Sequence, residues 1–97
     1  MTDVEEIKRT LVLHKAELRE KFRVKTIGVF GSYVRGEQKR GSDVDILVEF
    51  EESPSLFKFM DLEDRLSELL GVKVDLVSKK GLKPYIGKRI LEEVVMV

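Results

Sequence analysis

Apolar positions recur along this chain with two different periods. Val4, Ile7, Leu11, Leu18 and Phe22 fall on one stripe at helical spacing. Thr2-Asp3-Val4-Glu5 reads as a capping box, so the pattern predicts a helix from there to about Phe22 with one face on a core. After it the pattern changes to short apolar runs bounded by turn residues. Lys25 to Phe30 reads as a strand that stops at Gly31-Ser32, Asp43 to Val48 as a second strand after a turn built from Gly41 and Ser42, and Val72 to Ser78 as a third. Between the last two, Ser53 as cap and Pro54 in the first turn open a helix through Leu56, Phe59, Leu66 and Leu70 that stops at Gly71. A final helix begins near Pro84 and carries Ile86, Ile90, Leu91 and Val94, with Gly87 weakening its first turns.

These elements combine in few ways. About a dozen residues join the first strand to the second, which makes an antiparallel pair the economical arrangement. With the third strand beside the second, the expected class is α/β of the α+β kind: a small mixed sheet of about three core strands packed with helices. The 97 residues are expected to form one domain, 1–97, with a single core. Lys plus Arg and Asp plus Glu number 18 each, so the formal net charge is zero and the general attraction for nucleic acid is missing. A polymerase or tRNA-modifying role is disfavoured, and nucleic acid is not expected as a direct partner. Cysteine is absent, no secretory apolar segment is visible, and no apolar run approaches the roughly 18 residues of a membrane span. A cytoplasmic protein with no membrane partner is the default expectation.

The candidate chemistry lies in residues 31–50, GSYVRGEQKRGSDVDILVEF. On a strand that begins at the aspartates, Asp43 and Asp45 point to one face roughly 7 Å apart, while Val44, Ile46 and Val48 point into the core. Like charges so close are tolerated mainly where a strand end reaches solvent or where a cation bridges them. Magnesium is the natural candidate, because it takes hard oxygen ligands and is typically bound by one or two carboxylates together with substrate phosphates. Gly31 lets a bulky anion approach the backbone. Residues 32–35 read as one helical turn, ended by Gly36, whose free amides and Ser32 hydroxyl would hold phosphate oxygens. Antiparallel pairing brings Ser32 next to Asp43 and Asp45. Two-metal phosphoryl chemistry, with ions about 3.5 to 4 Å apart, needs a third acid. The remaining strand supplies Asp75, on the face opposite Val74 and Leu76. Each feature alone has a plainer reading: a turn and cap, a solvated strand edge, an exposed strand residue. Their joint occurrence, in order and with consistent strand parity, favours a metal and phosphate site.

The pattern Gly31-Ser32, Arg35-Gly36, Ser42-Asp43-x-Asp45 and a later strand aspartate resembles the DNA polymerase β nucleotidyltransferase superfamily. The branch it resembles most is the minimal nucleotidyltransferases, antitoxin partners of HEPN toxins. The resemblance covers Lys25 to about Val94 and implies a nucleotidyltransferase fold. It implies that Ser32 and the Gly31 backbone bind the triphosphate of ATP, with Arg35 steadying its charge. Asp43 and Asp45 would ligate metal and Asp75 would complete the site, the three acids serving as catalytic residues around two magnesium ions. The implied reaction is transfer of AMP to a tyrosine of a HEPN ribonuclease. Many relatives carry a second basic residue directly after the Gly-Ser pair. This chain has Tyr33 there, and Lys39 and Arg40 are the cations available to compensate.

Two other functions stay open at this stage. The chain could be a non-catalytic module that neutralises a toxin by direct contact. It could also be an antibiotic-type transferase acting on a small molecule, although a domain of this size scarcely forms an acceptor pocket alone and a homodimer would have to supply one. The apolar stretches Val95-Met96-Val97 and Phe57-Lys58-Phe59-Met60 either cover a partner interface or complete the core. Tyr33 and Tyr85 could stack on a base, but a half-buried tyrosine at a helix start is the commoner case. Arg89 is a surface candidate. His14, the only histidine, falls in the first helix's stripe far from the acids and is expected to be a packing or helix-surface residue.

Overall fold

The computed structural model describes residues 3–97. The first helix, α1 (Val4–Leu13), is capped by Asp3, whose carboxylate accepts the Glu6 N–H at 2.9 Å. Thr2, expected to open the capping box, lies outside the described residues, and the cap falls on Asp3. The single helix expected to reach Phe22 is instead two. His14 leaves helical geometry at φ −106° and ψ 12°, and α2 runs Lys15–Phe22. Both the His14 backbone N–H and its ring Nδ1 lie on the Thr10 carbonyl, at 3.2 and 2.9 Å. The histidine is therefore a joint between helices, away from the acids. The apolar stripe survives the break, with Ile7, Leu11, Leu18 and Phe22 all buried.

The strands are β1 (Val24–Phe30), β2 (Val44–Phe50), β3 (Val74–Ser78) and β4 (Val95–Met96), in sheet order β3-β2-β1-β4. β1 and β2 are antiparallel, as their short connection requires, with Val29 opposite Ile46 and Phe30 opposite Asp45. β2 and β3 are parallel, with Asp45 opposite Asp75, and the crossover between them is a helix, α4 (Leu56–Leu70). The fourth strand was not among the three expected. It pairs antiparallel with β1 through Gly28–Met96 and Val29–Val95, and the Val97 N–H reaches the Ile27 carbonyl at 3.0 Å. Gly28 permits that approach, because a Cβ there would stand 2.7 Å from Val94 Cγ2 and 2.8 Å from Met96 Sδ. The C-terminal valines thus complete the sheet and core. Phe59 also packs inward, 6.2 Å from the Phe50 ring centre, while Phe57 remains 78 % exposed.

One sheet face carries the core: Ile27 and Val29, then Val44, Ile46 and Val48, then Val74 and Leu76, against Ile7, Leu11, Leu18, Leu62 and Leu66 from the helices. By alternation the other face carries Phe30, Asp45, Leu47 and Asp75. α4 starts two residues later than expected. Ser55, not Ser53, is its cap, accepting the Lys58 N–H at 3.2 Å, while the Ser53 hydroxyl takes the Lys80 ammonium at 3.4 Å. Gly71 ends it in left-handed conformation, as expected. α4 also covers the free edge of β3. Ser67 Oγ accepts the Val74 N–H at 3.0 Å, and Glu63 Oε2 accepts the Leu76 N–H at 2.9 Å. These two bonds satisfy donors that an edge strand would otherwise expose, and they fix the strand that bears Asp75. The last helix, α5 (Pro84–Glu93), has Pro84 in its first turn and turns directly into β4. Among the described residues no helix is long and apolar enough to cross a membrane.

Candidate active site

β2 delivers the first carboxylate. With Val44, Ile46 and Val48 committed to the core, Asp45 must project from the opposite face. Parallel pairing sets Asp75 directly alongside on β3, one inter-strand spacing away, about 4.8 Å between backbones. Asp43 lies just before β2 begins, downstream of a turn in which the Ser42 N–H donates to the Lys39 carbonyl and Ser42 Oγ accepts the Lys39 N–H. The acids therefore come together on one side of the sheet, as strand parity predicted. Their electrostatics agree. Burial, followed by the charges of Asp75 and then Asp43, pushes the Asp45 carboxyl above the usual aspartate range.

The corner between β1 and the single-turn helix α3 (Ser32–Arg35) sits against Asp45. Gly31 there has φ 81° and ψ −154°, and a Cβ on it would stand 2.1 Å from Asp45 Oδ2. Only glycine allows both the backbone conformation and the contact. The amides of Val34 and Arg35, expected to face an anion, are spent closing the turn onto the Gly31 carbonyl at 3.1 and 3.2 Å. This leaves Gly31, Ser32 and the Arg35 side chain as the anion-facing groups of this corner.

Arg35 is occupied. Its Nη1 donates to Glu93 Oε1 at 2.5 Å and its Nε to Glu37 Oε2 at 3.2 Å. Glu93 comes from the end of α5, and its second oxygen accepts the Gly31 N–H at 2.9 Å. The sequence reading missed this residue. The contact spans 62 positions, and the one local hint is a glutamate pair at a helix C-terminus, where negative charge is unfavourable. Gly31, Arg35, Asp45 and Glu93, with Ile86 and Ile90 of α5, line an open cleft of about 320 Å³.

Other candidates fall elsewhere. Tyr33 is buried in the core, with its hydroxyl 3.4 Å from the Ser42 carbonyl, so it cannot stack on a base. Tyr85 is 89 % exposed rather than half-buried, and Arg89 borders the acid cleft. Lys39 and Arg40 line a separate cleft of about 350 Å³ with Tyr33 and Lys73, not the cleft lined by Gly31, Arg35 and Asp45.

Among the described residues no three carboxylate or imidazole side chains are already close enough to form a finished metal cage. The donor set nevertheless fits a hard divalent cation. It consists of carboxylate oxygens on one face, and the central one carries a raised affinity for positive charge in the form of a proton.

Comparison with known proteins agrees with this arrangement. The sequence model of the family described as nucleotidyltransferase domain matches residues 11–97. A protein of Thermococcus cleftensis named protein adenylyltransferase MntA is 62 % identical over 97 residues, covering 100 % of this chain and 98 % of that one. A solved structure described as a candidate minimal nucleotidyltransferase aligns with TM-score 0.78 at 37 % identity, over 97 % of this chain and 95 % of that chain. The same fold recurs at 20 % identity and TM-score 0.69, over 93 % of this chain and 70 % of the other, in the complex of a tri-AMPylated HEPN toxin of Shewanella oneidensis with its MNT antitoxin. Sheet order, an acid-bearing strand pair, a glycine corner and these matches lead to one assignment: the chain belongs to the nucleotidyltransferase domain family, in its minimal nucleotidyltransferase branch.

Proposed function

We propose that this protein is a magnesium-dependent protein adenylyltransferase that moves AMP from ATP onto a tyrosine hydroxyl of a HEPN-type toxin, acting as that toxin's antitoxin. The observation that carries the proposal is the in-register Asp45–Asp75 pair abutting the Gly31 corner, which sets a cation-binding face against an anion-binding backbone. The family, and the name of the 62 % identical relative, support nucleotidyl transfer to protein. The structural neighbour whose HEPN toxin carries AMP supports the class of acceptor.

In the proposed reaction the acceptor oxygen bonds to the α-phosphorus as the bond to pyrophosphate breaks in line with it. The Gly31 amide, Ser32 and Arg35 hold the triphosphate so that the leaving pyrophosphate is oriented and partly neutralised. Asp43, Asp45 and Asp75 would hold magnesium, which when bound screens the phosphates and polarises the acceptor oxygen. Asp75 is the most exposed of the three, and it takes the acceptor proton. Its exposure also means that the acceptor's surroundings come from the partner.

The test is incubation of the protein with α-labelled ATP, magnesium and the product of the neighbouring gene. Label retained on a partner tyrosine, and lost with Asp45→Asn, is the expected outcome. If Asp45→Asn silences the toxin fully without nucleotide, the protein is a binding antitoxin instead.

A further inference from the structure

We propose that Glu93 is a built-in occupant of the triphosphate cradle, which an incoming nucleotide must displace. This rests on the reading of Gly31 and Arg35 as phosphate ligands. Both are donors of the kind that bind phosphate, and one carboxylate satisfies both, through Oε2 on the Gly31 amide and Oε1 on the Arg35 guanidinium. The carboxylate occupies the place of a phosphate oxygen pair.

Three further features separate an occupant from a simple brace. Glu93 is the last residue of α5, where the helix dipole disfavours negative charge and where the last turn holds no basic residue. The Gly31 and Arg35 bonds hold the carboxylate in place, and against its burial they pull its pKa below the ordinary glutamate value, with the positive charge of Arg89 one turn back adding to them. Glu93 also lines the same cleft as Asp45. A phosphate and the Glu93 carboxylate would therefore compete twice, for the same donors and for the same acid-lined space. Finally, β4 holds the backbone two residues further on, where Val95 pairs with Val29. The exchange thus needs only rotation of the Glu93 side chain, with α5 and β4 left in place.

Competition and bracing predict opposite signs. Wild type, Glu93→Gln and Glu93→Ala are titrated with ATP and magnesium chloride by calorimetry, with AMP as the probe that lacks β- and γ-phosphates. Competition predicts that Glu93→Ala binds ATP roughly 5- to 50-fold more tightly than wild type, with Glu93→Gln between them and AMP affinity little changed. In wild type, the Glu93 carboxyl ¹³C resonance should move toward that of a free surface glutamate as ATP saturates. If wild type binds ATP but both variants bind it equally or more weakly, or if the Glu93 resonance stays fixed in the ATP complex, the proposal is overturned and Glu93 is a brace. If no form binds ATP, the cradle reading itself falls, and this inference with it.

Discussion

Replacing Gly31 with alanine tests the contact on which the site depends. At φ 81° and ψ −154° the residue occupies a region that is essentially glycine's alone, and holding a side-chain-bearing residue there costs about 1–3 kcal/mol. The new Cβ would also stand 2.1 Å from Asp45 Oδ2, more than 1 Å short of ordinary contact at 3.4 Å. Asp45 cannot retreat as a whole, because its backbone is paired with Phe30 on one side and Asp75 on the other. Its carboxylate must rotate off its preferred geometry, for about another 0.5–1.5 kcal/mol. Together these predict a loss of about 1.5–4.5 kcal/mol in urea unfolding. Displacing a reacting group by about 1 Å commonly costs about 100-fold in rate, so adenylyl transfer should fall by that order even where the variant is folded.

Gly36 supplies the control. It too has positive φ, at 71°, but a Cβ there meets nothing within 4 Å, so Gly36→Ala should lose only the left-handed strain of about 1–2 kcal/mol and retain transfer. Equal transfer by Gly31→Ala and Gly36→Ala, or native stability in Gly31→Ala, would refute the argument that Asp45 and the glycine corner are fitted to one another.

Two other substitutions probe the acids and the strand that carries one of them. Asp45→Asn should abolish labelling of the partner yet raise the thermal midpoint at pH 7 without divalent cation, because the folded carboxyl sits above its ordinary pKa of 3.8 and its ionisation opposes folding. The gain should shrink as pH falls through the folded carboxyl's titration and vanish below 3.8, where the wild-type group is protonated in both states; a lower midpoint than wild type at pH 7 would contradict it. Glu63→Ala leaves the Leu76 N–H without its carboxylate acceptor and should cost about 1–3 kcal/mol in urea unfolding, with Glu63→Gln losing less because an acceptor remains. An unchanged midpoint in Glu63→Ala would mean that the Glu63 carboxylate does not hold β3 in place.

The features read from sequence are those in which one local rule decides the outcome. Alternation across Val44, Asp45 and Ile46 sets the side of the sheet that bears the acid, and a short link dictates that β1 and β2 run antiparallel. The hydrophobic stripe of α1 and α2 was likewise visible, although the break at His14 was not, since it depends on the Thr10 carbonyl and leaves the apolar spacing intact. Two serines flank Pro54, and only the Lys58 N–H that Ser55 accepts assigns the cap to it. β4 escaped notice because two residues carry no periodicity, and its place is set by the missing side chain of Gly28 on another strand. Glu93 was hidden for the same reason, since its partners lie at the far end of the chain.

The groups that meet at the site have a common energetic character. Gly31 holds a conformation unfavourable to other residues, burial and like charge oppose ionisation of Asp45, and Glu93 sits at the wrong end of a helix dipole. Each is unfavourable alone, and all three meet on the sheet face opposite the core. A core of fully buried Ile, Leu and Val on the other face offsets them. On the proposed reading two ligands bound together relieve two of the three, because a cation satisfies Asp45 while a triphosphate takes over from Glu93 at Gly31 and Arg35. It follows that magnesium and ATP should each tighten the binding of the other. The coupling should shrink in Asp45→Asn, where the charge that links them has been removed, and equal coupling in that variant would show that the acids and the glycine corner act independently.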